Sequence, residues 1–159
     1  MTHVYETHAS SVGELLLVGT ADHLTGLYLA RRRHPPALDP DWARSPARFA
    51  YECSQLDEYL TGERRIFEIR LRLDGTHFQR AVWSALLDIA WGTTTTYAAI
   101  ARSLGRPRAA RAVGAAVGRN PISIVVPCHR VVGADGSLTG YGGGLEAKRW
   151  LLRHESSVE

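Results

Sequence analysis

Cysteine is scarce in this chain, since only two of its 159 residues are cysteines. Two thiols are too few for the disulfide framework of a small secreted protein, so Cys53 and Cys128 are expected to be free in a reducing cytoplasm. There is no CxxC pair, and the seven histidines lack the spacing of metal ligands, so no metal is expected. No apolar run is long enough to span a bilayer, and the first residues lack the features of a secretory signal.

Lysine and acidic residues are also missing from much of the chain. Lys148 is the only lysine among the 19 basic residues. Residues 1–88 hold 12 acidic and 10 basic residues, whereas residues 89–159 hold 4 acidic and 9 basic residues. Six arginines and no acid lie between Asp88 and Asp135. A basic, acid-free block is typical of a surface that contacts a phosphate backbone, although an arginine-rich solvated surface has the same charge.

The first 75 residues have the pattern of a small sheet domain with a helix. Apolar runs, proline clusters, helical spacing and alternation predict two short strands, a loop, a helix and a half-exposed strand. The two strands are residues 14–20 and 24–29, and the loop is residues 31–46. The helix is residues 47–60, and the half-exposed strand is residues 66–73. Asp74 and Gly75 end the last segment, so the predicted domains are residues 1–75 and 76–159.

The second domain is predicted to be mainly helical. Thr76 and Gln79 form a capping box in front of a helix with one apolar face. A second helix begins near Tyr97, and a last helix covers roughly residues 145–155. The predicted fold class is therefore α+β, with a small N-terminal antiparallel sheet and helix followed by a helical domain that contains a winged-helix-like helix-turn-helix.

The segment after the second helix completes the helix-turn-helix. Gly105 turns the chain, and Pro107 suits the first position of a third helix that runs to about Gly118. This helix consists mostly of alanine and glycine, with Arg108 and Arg111 as its long side chains. It lacks the polar side chains of a helix that reads the major groove, so it is suited to close approach, either to DNA or to the protein core.

An apolar run leads through a proline to Cys128 and His129. A cysteine acts as a nucleophile in its thiolate form, which a neighbouring imidazole can favour. Adjacent side chains of an extended strand point to opposite faces, so His129 is expected to act on Cys128 through water unless the chain turns there. Glu155 is a candidate to orient the imidazole. The alternative is an inert core thiol, which is the interpretation favoured for Cys53.

The motif PCHRV at residues 127–131 resembles the active-site motif of the O6-alkylguanine-DNA alkyltransferases. Other matching stretches follow in that family's order and spacing: THFQRAVWSAL, TYAAIARSLGRPRAARAVGAAVGRNP, IVVPCHRV, G-x-L-x-GY-x-G-G and K-x-x-LL-x-x-E. The resemblance is close over residues 76–155. It is loose over the first 75 residues, which correspond to the family's variable N-terminal domain.

The resemblance implies a DNA repair enzyme, a methylated-DNA–protein-cysteine S-methyltransferase that reacts once and needs no cofactor. The alkyl group of O6-alkylguanine, and of O4-alkylthymine, would move to Cys128 after minor-groove binding and base flipping. The implied partner is double-stranded DNA that contains alkylated guanine. No membrane and no obligate protein partner are expected, and cooperative self-association on DNA is compatible with the family.

The resemblance also assigns roles to residues. Tyr97 corresponds to a proton donor for the leaving guanine, Asn120 to a brace of the reactive turn, and Arg111 to a side chain that replaces the flipped base. The implied catalytic residues are Cys128, His129, Glu155, Tyr97 and Asn120. The implied DNA contacts are Arg111, Arg108, Ala109, Ala110, Gly114, Thr94 and Thr96. The implied substrate pocket consists of Val131, Tyr141, Gly142, Gly143 and Lys148.

Three other classes of protein share parts of this pattern. Alkyltransferase-like proteins bind lesions without transfer and usually have tryptophan in place of the cysteine, so Cys128 argues against that class. A Cys-His-Glu hydrolase would turn over through a labile thioester, and a DNA-binding regulator would need a further domain. Three positions depart from the family: Ala90 stands where many members have proline, Thr96 replaces the serine before the tyrosine, and Gly142 stands where some members have a serine near guanine O6.

Overall fold

A four-stranded sheet forms the first part of the fold. The computed structural model describes residues 2–30, 36, 38–138, 141 and 144–157. The strands are β1 (Val4–His8), β2 (Leu15–Gly19), β3 (Leu24–Leu29) and β4 (Ala43–Arg44). Their order in the sheet is β3-β2-β1-β4, with antiparallel pairing throughout except that the two residues of β4 run parallel to β1.

One face of this sheet is covered by a helix. Leu15 and Leu17 of β2 pair with Leu29 and Leu27 of β3, and all four side chains are buried because alternate residues of a strand point to the same face. A 3₁₀ turn (Ala47–Phe49) leads into helix α1 (Ala50–Leu60), whose buried residues Leu56, Tyr59 and Leu60 belong to the same core cluster. The predicted strands at residues 14–20 and 24–29 and the predicted helix at residues 47–60 are thus confirmed.

The sequence analysis missed one element of the first half, and two of its predictions there were wrong. Strand β1 was not predicted, and β4 lies inside the segment that was predicted to be a loop. Residues 66–73 do not form a strand. A single bridge joins Leu71 to Leu24, with Leu24 N–H donating to Arg70 O over 2.8 Å and Arg72 N–H donating to Leu24 O over 3.0 Å.

Four helices form the second part of the fold, namely α2 (His77–Leu86), α3 (Tyr97–Ser103), α4 (Ala110–Gly118) and α5 (Leu145–Ser157). The predicted capping box is confirmed, since Thr76 Oγ1 accepts from Gln79 N–H over 3.1 Å and Gln79 Oε1 accepts from Thr76 N–H over 2.9 Å. The fold class is therefore α+β, as predicted.

Helix α4 begins three residues later than predicted. Pro107 lies in a turn that Ala109 N–H closes by donating to Arg106 O over 2.9 Å. Proline at the second position of such a turn is favoured, because its fixed φ matches the turn. Gly105 precedes the turn with φ +73°, a conformation that glycine adopts without strain.

The two parts share one hydrophobic core. Residue Leu27 of β3 forms a bridge with Ile122, in which Leu27 N–H donates to Pro121 O over 2.8 Å and Ser123 N–H donates to Leu27 O over 2.9 Å. The domain boundary at residue 75 stays a prediction.

Among the described residues, no helix combines the length and apolarity that a membrane crossing requires.

Candidate active site

Cys128 lies in a 3₁₀ turn (Cys128–Arg130) and not in a strand. Cys128 N–H donates to Val126 O over 2.8 Å, and Arg130 N–H donates to Pro127 O over 3.0 Å. The expectation of an extended chain at this point was therefore wrong, because the backbone curls immediately after the proline. Cys128 is not in a disulfide, and the residue is only 5% exposed. A reactant must accordingly pass below the protein surface to reach it.

Asn120 holds the backbone that precedes this turn. Its Nδ2 donates to Val126 O over 2.8 Å and to Ile122 O over 3.3 Å, and its Oδ1 accepts from Ile122 N–H over 3.0 Å. Within the same segment Ile124 has φ +72°, which is unusual for a β-branched residue. The hydrogen bonds of the buried Asn120 side chain thus stabilise a backbone conformation that a short loop does not adopt easily.

Replacement of Asn120 by alanine is expected to destabilise the protein by about 2 kcal/mol, because it leaves the buried Ile122 N–H without its partner and removes one of the two hydrogen bonds that Val126 O accepts. Urea unfolding of the variant measures this loss. Arg119→Ala is the matched control, since that neighbouring side chain is exposed. Equal stability of the two variants would show that the amide does not hold the segment.

Glu155 on α5 collects hydrogen bonds from three side chains. Its Oε2 accepts from Tyr59 Oη over 2.6 Å, from His129 Nε2 over 2.7 Å and from Arg130 Nη2 over 2.8 Å, and its Oε1 accepts from Arg130 Nε over 2.8 Å. Burial acts to raise the pKa of this carboxyl, but the hydrogen bonds from His129 and Arg130 outweigh it and lower the pKa far below its ordinary value. Glu155 is therefore a buried carboxylate.

His129 is completely buried beside this carboxylate. Burial lowers the pKa of the imidazole, while the hydrogen bond to Glu155 acts in the opposite direction. A neutral imidazole that donates from Nε2 to a carboxylate has its Nδ1 unprotonated. Among the described residues, none forms a hydrogen bond with this Nδ1 atom. The ring is thus oriented to accept a proton at Nδ1.

The predicted pocket residues that the structure describes lie around Cys128. Lys148 is buried and its Nζ donates to Val131 O over 2.6 Å. Burial lowers the pKa of Lys148, and negative charge on Cys128 acts to raise it. The hydroxyl of Tyr141 faces Cys128 and Ser123, and burial raises its pKa well above the ordinary value. Gly142 and Gly143, also predicted for this pocket, lie outside the described residues.

A short parallel pair of strands joins the helix-turn-helix to the nucleophile segment. Strand β5 (Thr95–Thr96) pairs with β6 (Val131–Val132), which directly follows the turn of Cys128. Thr96 also caps α3, since its Oγ1 accepts from Ala99 N–H over 3.1 Å. Tyr97 is therefore held close to the chain that leaves the site. Its ring packs against α4, where a Cβ atom on Gly114 would lie 3.6 Å from it.

The predicted DNA contacts are spread along the exposed side of this region. Arg108 and Arg111 are exposed, as is Thr94, whereas three small residues of α4 and its start are half-buried. Those three are Ala109, Ala110 and Gly114. The opposite face of α4 is buried, and Trp83 Nε1 donates to Ala116 O over 2.8 Å to hold it against α2.

The sequence prediction missed two residues that build the site. Arg130 was considered only as a neighbour of the thiol. Its guanidinium donates two hydrogen bonds to the carboxylate of Glu155 and one to Ile89 O, the last over 2.6 Å. Tyr59 was not singled out, because it occupies an ordinary core position of a helix in the other half of the chain. No local pattern in the sequence indicates that its hydroxyl reaches Glu155.

The chain belongs to the 6-O-methylguanine DNA methyltransferase family. Residues 77–157 match the family's DNA binding domain, and residues 3–73 match its ribonuclease-like domain. The resemblance stated from the sequence motifs is therefore confirmed.

Individual relatives match over nearly the whole chain. The methylated-DNA–protein-cysteine methyltransferase of Mycobacterium bovis is 48% identical over 96% of this chain and 92% of its own length. The protein of that name from Methanosarcina acetivorans is 42% identical over 96% of this chain and 98% of its own length. A crystal structure of Mycobacterium tuberculosis OGT in complex with DNA superposes with a TM-score of 0.91 at 47% identity, covering 96% of this chain and 92% of the other.

Proposed function

We propose that the protein moves the alkyl group of an O6-alkylguanine in duplex DNA onto Sγ of Cys128, once per molecule. As a member of its family, the protein is an enzyme of DNA repair that transfers alkyl groups from DNA to a cysteine. The observation that carries the finer proposal is the buried Cys128 thiol directly followed by His129, whose Nε2 is bound to the carboxylate of Glu155.

The proposed reaction is a single displacement. The thiol proton of Cys128 passes through water to His129 Nδ1, and Glu155 stabilises the imidazolium that forms. The sulfur then forms a bond to the alkyl carbon as the bond from that carbon to guanine O6 breaks. Tyr97 donates the proton that makes the departing guanine neutral and regains a proton from solvent, while the imidazolium of His129 releases the former thiol proton to solvent. A thioether does not hydrolyse under these conditions, so the protein is consumed in equal amount to the lesion.

Access to the base requires that the nucleotide leaves the helix. Cys128 is buried below the protein surface, and an alkyl group on stacked guanine cannot reach it, which favours base flipping. Helix α4 presents small residues that allow close approach to a groove, and we propose that it lies in the minor groove with Arg111 filling the space of the flipped base. Arg108, Thr94 and Thr96 would contact the backbone nearby.

Several narrower expectations belong to the same proposal. O4-alkylthymine would be a second substrate, because its alkyl group is attached at a comparable oxygen. Neither Cys53 nor Cys128 is in a disulfide, and we propose that the protein works in a reducing cytoplasm. Neither a cofactor nor a metal takes part in the proposed displacement.

Intact-protein mass spectrometry tests the proposal most directly. The protein is mixed with an excess of duplex that contains one O6-methylguanine, and we expect one methyl group per molecule, located by peptide mapping on Cys128. A matched duplex with unmodified guanine is the control. Tight binding without a change in mass would instead identify a non-enzymatic lesion-binding protein, and repeated turnover would identify a hydrolase.

A further inference from the structure

Tyr59 lies in the first half of the chain, yet its side chain ends at the carboxylate of the proposed relay. It is completely buried, and its hydroxyl donates to Glu155 Oε2 over 2.6 Å. The same oxygen accepts from His129 Nε2 over 2.7 Å. We propose that Tyr59 is a positioning residue, which fixes Glu155 and tunes how strongly it binds the imidazole of His129. This inference rests on the proposed function and assigns a role in it to the first half of the chain.

The surroundings of Tyr59 fix its hydroxyl in place. Its ring lies 5.3 Å from the ring of Phe67 and meets the rings of Trp91 and His154 edge-on, at 5.4 and 5.3 Å between centroids. His154 also forms a hydrogen bond to Tyr59 O over 2.6 Å. Helices α1 and α5 are therefore joined through both the backbone and the side chain of one residue. An enclosed ring with a single polar end costs little entropy to hold in a hydrogen bond.

The hydroxyl competes with His129 for the same carboxylate oxygen. Oε2 of Glu155 accepts three hydrogen bonds, and each donor reduces the negative charge available to the others. The remaining charged neighbours of His129 are Arg130 and Lys148, which both act against protonation of the ring. Burial and the Glu155 charge raise the pKa of Tyr59 far above its ordinary value, so the phenol remains a donor. Tyr59 thus helps to keep His129 neutral before the reaction.

Replacement of Tyr59 by phenylalanine removes this donor and retains the ring. Without the competing hydrogen bond, Glu155 binds the imidazolium more strongly, so the pKa of His129 rises. His129 must be neutral to accept the thiol proton, and the acid limb of the transfer rate against pH should move upward by about one pH unit. The rate on the plateau should fall several-fold, because Glu155 is less firmly held. Tyr51→Phe is the matched control, since Tyr51 lies on the same helix but is 50% exposed.

Two measurements separate this role from simple packing. Titration of the His129 ring by NMR, in protein without DNA, should show the higher pKa in Tyr59→Phe and an unchanged pKa in Tyr51→Phe. In the wild-type protein, the Cζ resonance of Tyr59 should shift as His129 titrates, a result that does not depend on how any variant folds. A lower melting temperature with an unchanged acid limb and an unchanged His129 titration would overturn the inference.

The experiments on Tyr59 and the test of the proposed function can fail independently of each other. If the wild-type protein takes up no alkyl group, the proposed function is wrong, but the two NMR titrations still report on the link between Tyr59 and His129. Transfer could occur normally while the pKa of His129 is unchanged in Tyr59→Phe and the Tyr59 Cζ resonance of the wild-type protein does not shift. In that case the proposed function stands and the positioning role is wrong.

Discussion

The Cys128→Ala variant is expected to show no detectable alkyl transfer and to bind duplex DNA with an affinity within about twofold of the wild-type value. The sulfur is the acceptor in the proposed displacement, and no other group in the site can form a stable thioether. Cys128 is buried, with only 5% of the residue exposed, so loss of the thiol leaves the surface of α3 and α4 unchanged. Two measurements test this: methyl transfer from a duplex with one O6-methylguanine, and binding of the protein to the unmodified duplex.

Cys53→Ala provides the control for this experiment. Burial is the main cause that raises the pKa of the Cys53 thiol to about 11, with the Asp57 charge adding to it, so the thiolate is rare at neutral pH. The control variant should therefore transfer at the wild-type rate. Transfer by Cys128→Ala would disprove the assignment of the nucleophile.

The second large effect is expected for Arg111→Ala. We expect repair of an O6-methylguanine duplex to slow by roughly 100-fold, because an unfilled gap in the base stack makes flipping less favourable by a few kcal/mol. Reaction with free O6-benzylguanine should change by less than about twofold, since a free base needs no flipping. The ratio of the two rate constants is the quantity that decides the role of Arg111.

Arg119→Ala is the matched control, because Arg119 is also an exposed arginine and directly follows α4. Its removal takes away one positive charge and should weaken binding of any DNA sequence slightly, with a smaller dependence on salt. Equal slowing of Arg111→Ala on both substrates would mean that the side chain acts on the pocket and not on the DNA.

The parts of the fold that local chemistry determines were predicted from the sequence. Thr76 and Gln79 form a capping box because the two groups are three residues apart, and the structure contains both hydrogen bonds. The strands at residues 14–20 and 24–29 have continuous apolar runs. Strand β1 has no such run, and its existence depends on pairing with β2 along all five of its residues. Pairing with a distant partner leaves no periodic signal in the strand itself.

The candidate site shows the same division. Cys128 and His129 are adjacent in the sequence, Glu155 was a candidate from the residues and from the family resemblance, and the structure joins His129 to Glu155 by a hydrogen bond. The turn at Cys128 was missed because an apolar run before a proline predicts a strand, whereas the side chain of Asn120 imposes a different path. Tyr59 could not be found, since it lies 96 positions from Glu155 and its contact arises from packing of α1 against α5.

The position of Lys148 determines how the folded chain reacts with reagents that modify lysine. It is the only lysine, it is 1% exposed, and its amine is engaged with Val131 O. Acylating or cross-linking reagents in solution therefore find no lysine on the surface that the arginines dominate. Modification at this position requires that the interior around α5 opens, so the extent of acylation of Lys148 records opening of the protein and not the reactivity of its surface.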